Sequence, residues 1–251
     1  MSRFENALLY ARQLHAEQVR KGSEIPYIAH LLGVASIVMD YRGDEEEAIA
    51  ALLHDAIEDQ GGAPTRDEIR RRFGDRVTEI VESCTDSWVD PKPPWLERKT
   101  AYIEHVASAS ASVRLVSAAD KLHNARSIVK DYREIGEALW SRFEGGKAGT
   151  LWYYRSLVAE FRRAELTPLV EELARVVAEL EALVEKASPR KRMGTPRAQL
   201  TDMQRRLDHA MRKYYFQHPE RRREQERLLE EAAVEEALLD QEDGMQDGVN
   251  G

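Results

Sequence analysis

Residues 48–59, AIAALLHDAIED, place a dense polar group inside an apolar stretch. On a helix, side chains four residues apart share a face, so His54 would lie over Glu58. Asp55 would lie over Asp59 in the same way. Burying charged side chains among apolar neighbours lowers stability unless the charges are paired or bind a cation. The stretch therefore favours a metal site, and the alternative is a solvated helix end.

Two further polar side chains stand alone in apolar helical patterns. His30 lies in a predicted helix over residues 27–41, and Asp120 lies in one over residues 113–129. The alternatives are a core histidine and a buried aspartate paired with a neighbouring lysine or arginine. Together with His54 and Asp55, these residues make a mixed nitrogen and oxygen set. Such a set suits Mn²⁺, Fe²⁺ or Zn²⁺ better than Mg²⁺ or Ca²⁺.

A divalent ion in this set would favour hydrolysis of a phosphate ester. The ion lowers the pKa of bound water and neutralises a phosphoryl oxygen. Glu58 and Asp59 follow His54 and Asp55 by one helical turn, so they could orient and deprotonate that water.

Helical periodicity runs through most of the chain, and no alternating β pattern interrupts it. We therefore predict an all-α helical bundle over residues 1–187. A charged extension, partly helical and disordered at its end, is predicted for residues 188–251. The predicted helices cover residues 4–21, 27–41, 48–59, 66–73, 77–85, 96–107, 113–129, 139–161 and 168–186.

Composition narrows the functional classes. The net charge of −8 gives no general reason to expect nucleic acid binding. Cys84 is the single cysteine, which excludes an internal disulfide and a cysteine-rich zinc site. No apolar run approaches the roughly 20 residues of a membrane span. We expect a cytoplasmic protein without a membrane partner, and the extension could join subunits of a homo-oligomer.

Six blocks of sequence, in this order and spacing, resemble the HD-domain metal phosphohydrolases. The closer resemblance is to the hydrolase domain of the RelA/SpoT group and its stand-alone small alarmone hydrolases. It covers roughly residues 4–162, and six ordered blocks are far more specific than one His-Asp pair. The blocks are HAEQVRK (15–21), PYIAHLLGVA (26–35), AALLHDAIED (50–59), FGDRVTEIVESCTD (73–86), LERK (96–99) and ADKLHNAR (119–126).

The resemblance implies a metal site, usually with Mn²⁺, and an acidic catalytic pair. The implied ligands are His30, His54, Asp55 and Asp120, and the implied pair is Glu58 and Asp59. The implied reaction removes the 3′-pyrophosphate of guanosine tetra- or pentaphosphate, giving GDP or GTP and pyrophosphate.

The resemblance also implies nucleotide contacts. Arg20 and Lys21 match a basic pair that packs on the guanine, and Asn124 and Tyr153 match other contact positions. No nucleotide-synthetase domain is recognisable after these blocks.

Two positions depart from the family pattern. Ser117 and Trp95 stand where the family often has basic residues, and both would lie near a polyanionic substrate. Lys99, Arg98 or Lys92 could compensate, and we expect Lys99 to contact substrate. The departures leave open a second hydrolase, acting on an adenine alarmone, another nucleotide or a phosphoester. A non-catalytic nucleotide-binding regulator is a third hypothesis, disfavoured because it would not need the acidic pair.

Overall fold

The computed structural model describes residues 2–87 and 91–187. Helices make up these ranges, with no strand among them and one isolated bridge between Val19 and Pro26. The prediction of an all-α fold is therefore confirmed for the described part of the chain. In order, the helices are α1 (Arg3–Leu14), α2 (Ile28–Asp40), α3 (Glu45–Leu53), α4 (Ala56–Asp59), α5 (Ala63–Phe73), α6 (Asp75–Cys84), α7 (Trp95–Ser108), α8 (Ala111–Ile135), a 3-10 helix (Gly136–Arg142), α9 (Gly146–Ala164) and α10 (Pro168–Ala187).

The 25-residue helix α8 lies at the centre of the bundle. It packs against α2, α3, α6, α9 and α10. Burying a leucine, isoleucine or valine side chain stabilises a fold by about 1.5–3 kcal/mol. Residues 48–53 of α3 are all buried, as are Val116, Ala119 and Leu122 of α8. The apolar packing around α8 therefore fixes the elements that carry the predicted metal ligands.

Helix α3 begins three residues earlier than the apolar pattern predicts, because its start is capped. The Asp44 carboxylate accepts a hydrogen bond from the Glu47 backbone N–H, and the Glu47 carboxylate accepts one from the Asp44 N–H. Three glutamates also lie in the first turn, where the helix dipole favours negative charge.

The predicted continuous helix over residues 48–59 is wrong, because the chain breaks between α3 and α4. His54 has φ −59° and ψ −28°, whereas Asp55 moves to φ −98° and ψ −2°. Consecutive side chains of a regular helix point about 100° apart. The break between the two helices lets the His54 imidazole and the Asp55 carboxylate point towards the same site. The hydrogen bond from the Asp59 N–H to the Asp55 carbonyl persists at 3.0 Å.

The first helix ends at Leu14, so the prediction of a helix to residue 21 is also wrong. The next residues form a turn in which the Arg20 N–H donates to the Ile25 carbonyl over 2.8 Å. Gly22 adopts φ 75° within that turn, a conformation that glycine reaches without strain. This turn, residues 15–27, forms one wall of the site.

Two smaller boundaries also differ from the sequence pattern. Helix α5 begins at Ala63, three residues before the predicted start at residue 66. Thr65 therefore lies inside the helix, and its hydroxyl donates to the Gln60 carbonyl. The helix predicted over residues 139–161 instead begins at Gly146, and the 3-10 helix Gly136–Arg142 precedes it.

The chain divides into two units, Met1–Thr195 and Pro196–Gly251. The predicted charged extension over residues 188–251 lies outside the described residues. Among the described helices, none combines the length and the apolar character needed to cross a membrane.

Candidate active site

Four side chains converge at the break between α3 and α4. The Nε2 atoms of His30 and His54 lie 3.2 Å apart. Oδ2 of Asp55 lies 3.0 Å from Nε2 of His54 and 3.6 Å from Nε2 of His30. Oδ1 of Asp120 lies 3.3 Å from Nε2 of His30 and 3.6 Å from Nε2 of His54. The structure thus brings all four predicted ligands together.

The donor atoms of this cluster fit a divalent metal ion. Nitrogen and oxygen ligands about 2.0–2.2 Å from one ion lie roughly 3–3.5 Å from each other. The His–His and His–Asp distances in this cluster, 3.0–3.6 Å, are similar. Nδ1 of His54 lies 2.8 Å from the Ala51 carbonyl, which can only accept a hydrogen bond. Nδ1 therefore carries a proton, and Nε2 is the ring nitrogen that faces the cluster. The His/Asp set can hold a divalent metal ion.

His30 is oriented by a second histidine. Its Nδ1 lies 2.9 Å from Nδ1 of His123, so one ring donates a hydrogen bond to the other. If His30 donates, its Nε2 keeps a lone pair for the cluster. Gly33 makes room for this arrangement, because a Cβ at that position would lie 2.3 Å from the His123 imidazole.

Neighbouring charges shift the pKa values of three side chains in the cluster. Burial opposes a charge on His54, but the Asp55 and Asp120 carboxylates hold its pKa well above the usual value. Burial also opposes a charge on Asp55, yet His54 and His30 hold its pKa well below the usual value. The pKa of Asp120 is likewise held low against burial, by Lys121 and the two histidines. Because the Asp55 and Asp120 carboxylates stay ionised, the site favours a positive charge between them and the histidines.

The side chains of the predicted acidic pair have separate partners. Glu58 accepts a hydrogen bond from Nζ of Lys92 over 2.7 Å and one from the Asp86 N–H over 3.2 Å. Asp59 accepts one from Nε2 of Gln18 over 2.8 Å. Desolvation and the neighbouring Asp55 and Glu58 carboxylates raise the pKa of Asp59, although its residue surface remains open to solvent. Asp59 is therefore a better proton acceptor than an ordinary aspartate.

Two of the predicted nucleotide contacts are bonded to each other. Nη2 of Arg20 donates to Oδ1 of Asn124 over 2.6 Å, and Nδ2 of Asn124 donates to Oδ1 of Asp120 over 2.5 Å. The Arg20 guanidinium lies 5.7 Å from the centre of the Tyr27 ring. Lys21 is exposed on the neighbouring turn.

Lys99 and Tyr153, the other predicted nucleotide contacts, lie together. Nζ of Lys99 lies 5.0 Å from the centre of the Tyr153 ring and 2.6 Å from Oδ2 of Asp86. Nη1 of Arg98 donates to the same Asp86 oxygen over 2.6 Å. The Tyr153 hydroxyl is buried and has no hydrogen-bond partner among the described residues. Asp86 therefore holds two of the cations that were expected to compensate for missing charge.

Neither Ser117 nor Trp95 supplies a charge to the site. The buried Ser117 hydroxyl lies 2.5 Å from the Tyr102 hydroxyl. Trp95 packs against Trp152 and Tyr153, with ring centres 6.1 Å and 6.5 Å away.

Sequence reasoning missed several residues that support the site. The Tyr27 hydroxyl donates to Oδ2 of Asp55 over 2.6 Å, and Nζ of Lys121 donates to Oδ2 of Asp120 over 2.7 Å. The possible pairing of Asp120 with a neighbouring lysine therefore exists alongside the histidine contacts. The residues that sequence reasoning missed lie inside the quoted blocks, and membership of a block was the one signal that could have found them. They are Gln18, Tyr27, Asp86 and His123.

Comparisons with known proteins agree with the helical fold. The HD domain family matches residues 7–151. The guanosine-3′,5′-bis(diphosphate) 3′-pyrophosphohydrolase MESH1 of Xenopus tropicalis is 43% identical over 122 residues, which are 47% of this chain. The chain spans 65% of the length of that relative.

Two solved structures are also similar. One, described as a metazoan ortholog of SpoT that hydrolyses ppGpp and plays a role in starvation responses, is 27% identical, with a TM-score of 0.57. The match covers 71% of this chain and 96% of that one. The crystal structure of lmo0812 from Listeria monocytogenes EGD-e is 33% identical, with a TM-score of 0.53 and coverage of 62% and 97%. The chain belongs to the HD domain family.

Proposed function

We propose that this protein hydrolyses guanosine 3′,5′-bis(diphosphate) to GDP and pyrophosphate, and the pentaphosphate analogue to GTP and pyrophosphate. The observation that carries the proposal is the convergence of His30, His54, Asp55 and Asp120 beside two further carboxylates. The similarity to MESH1, which is named for this reaction, supports the choice of substrate.

The four converging residues would hold the metal ion, and Mn²⁺ is the proposed ion. Two imidazoles and two carboxylates form a donor set of intermediate softness, which suits Mn²⁺ better than Mg²⁺. When bound, the ion supplies positive charge for a phosphoryl oxygen and lowers the pKa of water.

The acidic pair would handle the proton. Water attacks the phosphorus joined to the 3′ oxygen, a new phosphorus–oxygen bond forms, and the bond to the 3′ oxygen breaks. Asp59 would accept the proton of the attacking water, because burial and the neighbouring Asp55 carboxylate raise its pKa above that of an ordinary aspartate. Glu58, held by Lys92, would orient the same water. The 3′ oxygen takes a proton from solvent water and leaves as the ribose hydroxyl.

The nucleotide would lie between the turn of residues 15–27 and α8. Arg20 and Lys21 would pack on the base, and Asn124, which already bonds the Arg20 guanidinium, would contact the nucleotide. Lys99 and Tyr153 would contact the phosphates from the opposite wall. These cations offer charge-assisted hydrogen bonds to a polyanion.

The test is a panel of nucleotides incubated with Mn²⁺-loaded protein, with pyrophosphate and nucleoside diphosphate release measured together. We expect release from guanosine tetraphosphate. Glu58→Gln and Asp59→Asn should each lower turnover by roughly 10²–10⁴-fold with little change in metal content. Glu79→Gln, on the exposed face of α6, is the matched control and should not change turnover. Unimpaired turnover in both acidic-pair variants would contradict the mechanism.

Ser117 and Trp95 favour a second candidate, hydrolysis of an adenine alarmone or another phosphoester. The Ser117 hydroxyl contacts Tyr102 and Trp95 packs on aromatic rings, so neither position offers a cation to a guanosine polyphosphate. The same panel distinguishes the candidates. A kcat/KM for the adenine analogue above that for guanosine tetraphosphate would replace the first substrate with the second.

We further propose that residues 1–187 are the catalytic domain of a cytoplasmic protein, with residues 188–251 as an appendage that could join subunits. Helix α10, ending at Ala187, packs on α8 and α9 and belongs to the bundle. Truncation after Ala187 should leave a folded, active hydrolase. Inactivity or aggregation would show that the extension is structural, and a change in oligomeric state by light scattering would identify it as a subunit contact.

A further inference from the structure

The Gln18 side chain joins the turn after α1 to the end of α4. Its Nε2 donates to Oδ2 of Asp59 over 2.8 Å. Its Oε1 lies 2.6 Å from Nδ1 of His15 and accepts a hydrogen bond from Nε2 of Gln60 over 2.7 Å. The Asp59 carboxylate can only accept hydrogen bonds, and Oε1 of Gln18 contacts two nitrogen atoms, one from His15 and one from Gln60. The Gln18 amide therefore has one favourable orientation. That orientation directs the NH₂ group at Asp59.

His15 fixes the other end of this connection. It is 2% exposed, and its imidazole is stacked on the Tyr27 ring at 5.2 Å and 17°. The Tyr27 hydroxyl in turn donates to Asp55. Nε2 of His15 has no hydrogen-bond partner among the described residues, so the ring is held by packing and by its contact with Gln18. One buried histidine thus supports side chains that reach both Asp55 and Asp59.

Asp59 needs such support because its own helix is short. Helix α4 has four residues and is followed by Gly61 and Gly62, both with positive φ. So short a helix has little stability of its own. Within the described part of the chain, Gln18 provides the one side-chain hydrogen bond to the Asp59 carboxylate.

We infer that Gln18 is a positioning residue for hydrolysis, holding the Asp59 carboxylate in the orientation that accepts a proton from the attacking water. The inference rests on the proposed function, because it takes Asp59 as the proton acceptor. A purely structural role for Gln18 would instead tie the turn of residues 15–27 to α4 and affect stability alone.

A double-mutant cycle separates these roles. Gln18→Ala should lower kcat by about 10- to 100-fold, since a displacement of about 1 Å can cost 10²-fold. KM and Mn²⁺ affinity should change less than about twofold. In an Asp59→Asn background, Gln18→Ala should lower the rate by less than about twofold, because the group it orients is gone. Single-turnover assays with excess enzyme measure these low rates.

Two further variants complete the design. Gln18→Met keeps the length of the side chain without its hydrogen bonds, and it replaces Gln18→Ala if that variant does not fold. Gln13→Ala changes an exposed glutamine of α1 and is the matched control. If the rate losses of Gln18→Ala and Asp59→Asn multiply in the double variant, the inference is overturned. A normal kcat in Gln18→Met, together with a lowered kcat in Asp59→Asn, would also overturn the inference about Gln18. That result would leave the proposed function intact. Normal turnover in Asp59→Asn would contradict the proposed role of Asp59 itself.

Discussion

Asn124 joins Asp120, on the same helix, to Arg20, which lies 104 residues before Asn124 in the sequence. Its amide oxygen accepts a hydrogen bond from the Arg20 guanidinium over 2.6 Å, and its amide nitrogen donates to Asp120 over 2.5 Å. The amide therefore joins a proposed base contact to a proposed metal ligand. Nucleotide binding and metal binding are expected to depend on this one side chain.

Asn124→Ala should weaken substrate binding. A hydrogen bond to a charged group contributes about 1.5–3 kcal/mol, and this variant removes two of them. We expect KM for guanosine tetraphosphate to rise roughly 10-fold or more, with a smaller loss of Mn²⁺ affinity measured by calorimetry. Asn6→Ala, the same change on the exposed surface of α1, is the control. An unchanged KM in Asn124→Ala would show that Arg20 is held by other contacts.

Asp86 should be important for stability. One of its oxygens accepts hydrogen bonds from both Arg98 and Lys99, and its side chain is 8% exposed. Removing one member of a buried ionic group costs about 3–5 kcal/mol, because the remaining charges are left unpaired. We expect Asp86→Ala to approach the lower end of that range in urea unfolding. Asp75→Ala is the control, since that side chain is 81% exposed beside Arg70 and such pairs contribute about 0–1 kcal/mol. Equal effects of the two substitutions would contradict this prediction.

The sequence predicted the helices well where apolar periodicity is uninterrupted. The prediction of a helix over residues 168–186 agrees with α10, Pro168–Ala187. It was less accurate where side chains of the site compete with helical geometry. The polar residues His54 and Asp55 were recognised from their apolar surroundings, but the break between them was not. Helical spacing alone cannot show that two consecutive residues must reach one point.

The supporting residues were harder to predict than the ligands. Gln18 and Tyr27 are types common on surfaces and in cores, so nothing in their spacing marks them. Their roles depend on the turn of residues 15–27, which is held by backbone hydrogen bonds rather than by a periodic pattern. Asp86 pairs with Arg98 and Lys99 across a proline-containing stretch whose path the sequence does not determine.

Metal removal should destabilise the protein. His54→Ala should abolish the difference in stability between the metal-loaded and the metal-free protein. A ligand present at about 100 times its Kd stabilises the folded state by about 2.7 kcal/mol. We expect Mn²⁺ to raise Tm in the unmodified protein and EDTA to reverse the change. His54→Ala should show no shift at the same concentration, whereas His105→Ala, in the last turn of α7, should keep it. A full Mn²⁺ shift in His54→Ala would show that the ion binds elsewhere.

His123 should make the metal-free protein less stable in acid. Burial, followed by the neighbouring His30, lowers the pKa of His123 to about 4, compared with about 6.5 in an unfolded chain. Between these values the unfolded chain binds the proton and the folded protein does not. The contribution of His123 is therefore fully present above about pH 6.5 and is lost as the pH falls towards 4. His123→Gln keeps a side-chain acceptor near His30 but cannot titrate. We expect the variant to lose less free energy of unfolding than the unmodified protein between pH 7 and pH 5, measured by urea unfolding with EDTA present. His105→Gln is the control, and equal pH dependence in His123→Gln and the unmodified protein would show that His123 does not titrate in this range.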